Sequence, residues 1–331
     1  MTLASLLTIY VPLLGWTGCG WVLGRLLPKA MPAYLGKFLF WIGVPISIVA
    51  FLRHAHLSAS LWLAPVVAWA AMLLGMSIAW WLSRRSSVPF PFAAQPLSLN
   101  QPAKGGFLLA SMLGNTGYIG YPVALTLIEP QDFAWTLFYD LLGSTPGAYG
   151  LGVAIAAHFS GATHRSREVS QATRWQTVRW QTVRVMLQNP ALWSFAVGLM
   201  YCDRPLPLLL ETGLHNFAWC VVALFLILIG MRLSQLTSLK RLKPAIASIG
   251  IKMLFVPLLI GLGLWAAGVT GPIFKALLLQ MAMPPAFATL VIAEAYNLDQ
   301  ELTVTTLVLG CLALVLLLPV WLWLSHVLGV T

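Results

Sequence analysis

Residues equipped for chemistry are sparse in this sequence. Asp140 and Lys252 are charged and fall inside long apolar runs. A charge held in lipid is costly, so such residues are read as functional by default. Asp140 could carry a proton or help bind a cation; the alternative is a place at the membrane interface. Lys252 could attract an anion; the alternative is a side chain that snorkels to the cytoplasmic face. Asn115 has an amide able to donate two hydrogen bonds to a carboxylate, or it caps a half-helix. Thr116, Tyr118 and Ser47 offer weaker polar lining, or satisfy local backbone. His54 and His56 lie two apart without a third ligand, so no metal site is assigned. Glu294, Asp299 and Glu301 read as a solvated cluster. Intramembrane catalysis needs a nucleophile with its base, paired aspartates or a His-rich metal cluster. Asp140 stands alone and the six histidines are scattered, so no catalytic set and no cofactor are expected. There is no nucleotide-binding P-loop to drive transport with ATP.

The elements that must position these residues follow from composition. The chain has 331 residues, 59% hydrophobic and 8% charged, with a mean hydropathy of +0.85. A soluble domain carries roughly 25% charged residues; this chain must face lipid instead. Its net charge of +10 comes from basic residues in short loops between apolar runs. That pattern orients membrane proteins and removes the case for a nucleic-acid partner. Cys19, Cys202, Cys220 and Cys311 are scattered, without metal-type spacing or a disulfide framework. Fifteen tryptophans suit two membrane interfaces.

A span needs about 20 mostly apolar residues. Ten are expected, at 5–24, 35–52, 61–83, 106–128, 133–159, 185–202, 208–231, 244–269, 272–295 and 302–327. The first has no basic residue before it and no small-residue cleavage site after it, so it reads as a retained helix. The loops after spans 1, 3, 5 and 7, with the span ends that adjoin them, carry fifteen basic residues, and those on the other side carry three. Both termini are therefore expected outside a cell membrane. Two cytoplasmic loops have their own character. Ser86 to Gly105 is proline-rich and reads as an irregular connector. Residues 175–184 repeat WQTVR in tandem, either an interfacial basic helix on anionic lipid or a duplicated linker.

The basic loop at 161–184 divides the chain into 1–160 and 185–331, each with five spans. An odd number gives the halves opposite orientations, the arrangement of inverted-repeat transporters. Their substrate sites lie where discontinuous helices of the two halves meet. The fourth span of the first half is interrupted by Gly114, Asn115, Thr116, Gly117, Gly120 and Pro122. The fourth span of the second half is interrupted by Pro284 and Pro285. Glycine weakens a helix, proline removes a backbone donor, and the residue before proline leaves the α region. Freed backbone groups are tolerable at membrane depth only if buried or lining a wet cavity. Freed amides and helix N-termini near a crossing suit an anion.

These segments resemble the auxin efflux carrier family, which includes plant carriers and bacterial permeases. GNTGYIGYP (114–122) is similar to its fourth-helix motif, and MPPAFATLVIAEAYNLDQEL (283–302) to its ninth-helix segment. FWIGVPISIVAFL (40–52) resembles the proline-bearing second helix, and QNPALWSFAVGL (188–199) the Asn-Pro start of the sixth. The resemblance implies an all-α membrane fold of ten helices in two inverted five-helix repeats, of the bile-acid-symporter and sodium–proton-antiporter type. Helices 1, 2, 6 and 7 would form a scaffold. Helices 3–5 and 8–10 would form a transport domain with broken helices 4 and 9 crossed. It implies elevator-like movement of small organic anions, with Asn115 contacting the substrate carboxylate and Pro284 as the crossover proline. Plant-type carriers have a proline before the asparagine where Gly114 stands here, which weakens the case for an auxin-like substrate. Coupling to Na⁺ or H⁺ stays open, as does a homodimer. The other readings are a coupled cation or bile-acid-type carrier of related fold, or a sensor on the same scaffold.

Overall fold

The computed structural model describes residues 3–53, 58–84, 99–160, 190–202, 206–234 and 241–328. All regular elements among them are helical. They are α1 (Leu3–Leu26), α2 (Met31–Leu52), α3 (Ala59–Arg84), α4 (Gln101–Met112), α5 (Gly120–Leu127), α6 (133–159), α7 (Pro190–Met200), α8 (Leu208–Ser234), α9 (Leu242–Ala266), α10 (Gly271–Met281), α11 (Phe287–Ala295) and α12 (Gln300–Val327). Each of the ten apolar runs carries a helix or a pair of helices. Among them α2, α3, α8, α9 and α12 are long and apolar enough to cross a membrane by themselves. Trp41, Trp62, Leu316 and Trp323 are largely exposed on these helices, which suits a lipid-facing surface.

The connector expected at Ser86–Gly105 is partly helical. Residues 86–98 lie outside the described residues, but α4 begins at Gln101. Asn100 caps it, its Oδ1 accepting from the Ala103 amide at 3.0 Å. Pro102 sits in the first turn, where its missing N–H costs nothing. The His54/His56 pair, the linker 161–184 and its WQTVR repeat also lie outside the described residues.

Three of the long helices widen into a π-turn immediately before a proline. The turns are Leu39–Gly43 before Pro45, Asp140–Ser144 before Pro146, and Ile251–Phe255 before Pro257. Proline lacks a donor and clashes with the carbonyl four residues back, and a wider turn accommodates both. At Pro257 that carbonyl belongs to Met253, and Trp321 Nε1 donates to it at 3.1 Å. The two π-turns at 140–144 and 251–255 hold Asp140 and Lys252.

The chain forms two compact units. The first comprises Met1–Leu61, Gly117–Leu137 and Asn189–Thr237. Here α1 and α8 pack backbone to backbone: a methyl group at Gly20 would strike the Ile227 carbonyl, and one at Gly230 that of Thr17. Small residues at such contacts let helices in lipid approach closely. The second unit comprises Trp62–Thr116, Phe138–Gln188 and Ser238–Thr331. Residues 117–137 were expected with spans 3–5 but belong to the first unit. Aromatic packing explains this. Tyr121 and Phe51 both meet Phe133 edge to face, at 5.6 and 5.4 Å between centroids, and Tyr118 meets Phe225 at 5.3 Å.

Candidate functional site

Both suspected breaks are real interruptions. The run 106–128 stops at Met112 and resumes at Gly120, and the run 272–295 stops at Met281 and resumes at Phe287. Within the second unit the two interruptions meet. Gly114 and Pro285 form an isolated antiparallel bridge. The Asn115 amide donates to the Pro284 carbonyl at 2.7 Å, and the Ala286 amide donates to the Leu113 carbonyl at 2.9 Å. Pro284 and Pro285 have no N–H to place. The reciprocal pair therefore satisfies groups that would cost several kcal/mol each in lipid.

Polar side chains gather at this junction. Asn115 is 8% exposed and Thr116 is 2% exposed. The Thr116 hydroxyl donates to a carboxylate oxygen of Asp140. Asp140 is itself buried in α6, engaged with the loop of the fourth span. Lys252 does not snorkel: it is 2% exposed, and its Nζ donates to the Met281 carbonyl at 2.6 Å. Packing explains the difference, since α10 ends beside the π-turn that carries Lys252. Pro284 and Pro285 are buried, and Gly310 of α12 makes room for them. A Cβ at Gly310 would lie 2.7 Å from Pro285 Cδ and 3.1 Å from Pro284 Cβ.

The remaining candidates belong to the first unit. Ser47 is buried in α2 with no hydrogen-bond partner for its hydroxyl. It lines a small apolar cavity with Tyr121, Pro122, Phe133 and Phe225. Tyr118 is half-buried against Phe225, and Gly117 and Gly120 flank it in the chain. The structure thus gathers Gly114, Asn115, Thr116, Asp140, Lys252, Pro284 and Pro285 in one unit, and holds Ser47, Tyr118 and Pro122 in the other. The acidic cluster is not uniformly solvated. Glu294 and Glu301 are exposed, but Asp299 caps α12 through the Leu302 amide at 3.0 Å and pairs with Arg241 at 3.2 Å.

Sequence reasoning passed over two residues near the junction. Gln280 is fully buried, one residue before the carbonyl that holds Lys252, and its amide has no hydrogen-bond partner. An amide inside the run LLLQMAM was the available signal. Gly310 is the other, a lone glycine in the run LVLGCLAL.

Among the described residues, a wholly helical architecture with several membrane-length apolar helices, and two interrupted ones joined at their breaks, suits a membrane transporter. Comparison with known proteins agrees. Residues 3–322 match the family described as membrane transport protein, and the chain belongs to it. This bears out the resemblance to the auxin efflux carriers. An uncharacterized transporter of Methanothermobacter thermautotrophicus is 24% identical over 290 residues, 87% of each chain. Another, from Methanocaldococcus jannaschii, is 27% identical over 224 residues, 66% of this chain and 68% of its own. The protein is a multi-pass membrane transporter, and its family is one of carriers rather than of enzymes.

Proposed function

We propose that this chain moves small organic anions, mono- or dicarboxylates, across the cell membrane, with the substrate held where the two broken spans cross. One observation carries the reading. The reciprocal bonds between 113–115 and 284–286 bring the buried Asn115 amide to a junction of two helix interruptions. An amide there can donate two hydrogen bonds to a carboxylate. The N-terminal end of α11 follows directly after Ala286, and the positive end of a helix favours an anion. The Lys252 ammonium adds a positive charge. A cation–proton antiporter would want an acidic pair at this place. Among the described residues Asp140 is the one buried carboxylate, which favours the anion reading.

In this proposal the chain crosses the membrane ten times, in inverted halves 1–160 and 185–331 joined by the basic linker 161–184, with both termini outside. The make-up of the two units supports an elevator. Spans 1, 2, 6 and 7 fall in the first unit, the scaffold of this reading, and the crossing falls in the second, the carrier. The test is Asn115→Ala in proteoliposomes. Carboxylate transport is expected to vanish while the protein elutes as a folded, monodisperse species. Undiminished transport removes Asn115 as a substrate ligand.

A further inference from the structure

We infer that the Lys252 ammonium is a tethered cation occupying the place at the crossing that a coupling Na⁺ would take, so that anion transport by this chain needs no sodium. The inference rests on the crossing being the transport site, and it adds what balances charge there.

Carriers with broken helices coordinate Na⁺ by unwound carbonyls and the C-terminal ends of half-helices. Those groups carry the negative end of the helix dipole. Here α10 is the half-helix ending at the crossing. Its Leu278 carbonyl accepts from the Ala282 amide at 3.0 Å, and its Gln280 carbonyl accepts from the Met283 amide at 3.4 Å. The Met281 carbonyl is taken by Lys252 Nζ at 2.6 Å. A covalently attached ammonium thus sits on the group a metal cation would seek. Lys252 is buried, and stripping water from an ammonium is expensive unless its charge is answered. A carbonyl answers it in part, and an arriving carboxylate would answer it in full. A second cation at the same carbonyl would meet like-charge repulsion.

A second observation fits the same occupant. A Cβ at Gly114 would fall 2.9 Å from Lys252 Cε and 3.0 Å from Nζ. A residue without a side chain at this position leaves the volume that the end of Lys252 fills. The glycine and the lysine make one arrangement, and it uses nothing from solution.

The experiment is carboxylate uptake into proteoliposomes with sodium, potassium or choline chloride on both sides, for the wild type and for Lys252→Met. The wild type is expected to transport equally in all three salts. The methionine variant should remain folded and lose about tenfold or more in rate, as when one member of a buried charged pair is removed. A wild type that requires Na⁺, or a variant as fast as the wild type, overturns the inference and leaves the anion reading standing. Should the variant not be recovered folded, wild-type melting decides. Sodium is expected to leave the midpoint where potassium and choline leave it, and a Na⁺-specific rise overturns the inference. A wild type that moves no carboxylate in any salt sinks the transport reading itself.

Discussion

The fourth and ninth spans are both broken, but by different means and with different consequences. The fourth opens over 113–119, with Gly114 and Gly117 inside the gap and Gly120 at its end. The ninth opens over 282–286 around Pro284 and Pro285. Glycine widens the choice of backbone angles, and proline removes both angle choice and a donor. The halves of the glycine break, α4 and α5, belong to different compact units, and the chain changes unit between Thr116 and Gly117. The halves of the proline break, α10 and α11, stay in the second unit. The permissive residues stand where the polypeptide links the two units. The rigid ones stand where one unit needs a fixed edge for Asn115 and Leu113 to bond against.

Substitutions at the two breaks test that contrast. The largest effect is expected from Gly310→Ala. The new methyl group meets the Pro285 ring at 2.7 Å, and neither a proline ring nor the α12 backbone can yield cheaply. Overpacking of this kind costs about 3 kcal/mol, read as a lowered thermal midpoint in detergent. An unchanged midpoint breaks the comparison, because the proline break would then be as yielding as the glycine one. Next comes Thr116→Val, which keeps shape and removes the hydrogen bond to the Asp140 carboxylate. A hydrogen bond to a charged group contributes about 2 kcal/mol. Thr116→Ser should recover most of the midpoint. A valine variant as stable as the wild type would mean that Asp140 does not anchor the glycine break.

How far the sequence could lead varies along the molecule. The ten apolar runs mark where helices form, because a lipid-facing helix must be apolar over its whole length. The breaks were legible because Gly, Asn and Pro accumulate at matching places in the two halves. Asn115 and Pro284 were legible as residues of the two breaks through the motifs around them. Lys252 was not, because snorkelling and burial start from the same residue at the same position. What separates them is the end of α10, which lies across the π-turn only in the folded chain. Gly310 carries no sign of its partners, since its role is set by rings 25 residues away. The placement of 117–137 with the first unit depends on Phe51 meeting Phe133 of α6 and on Phe225 meeting Tyr118 of the break, and no local pattern encodes that. The helical start of α4 was readable in hindsight from Asn100 and Pro102, a cap and a first-turn proline.

The smallest stability effect is expected from the same exchange made at the glycine break, Gly114→Ala. Gly114 does not have a left-handed φ, so alanine introduces no backbone strain there. Its methyl group meets Lys252 Cε at 2.9 Å and Nζ at 3.0 Å, the far end of a flexible side chain that can withdraw by rotation. The cost should be about 1 kcal/mol, the low end of the range for an added carbon in a packed site. Against Gly310→Ala, one added carbon at each break then separates the stiff from the yielding by thermal midpoint. The yielding break should still register the change in function. Moving the ammonium lengthens its 2.6 Å bond to the Met281 carbonyl and shifts the positive charge beside Asn115. Gly114→Ala is therefore expected to transport more slowly at nearly wild-type stability. Equal losses of midpoint in the two alanine variants would show that both breaks are packed alike, and the division of labour between glycine and proline would fall.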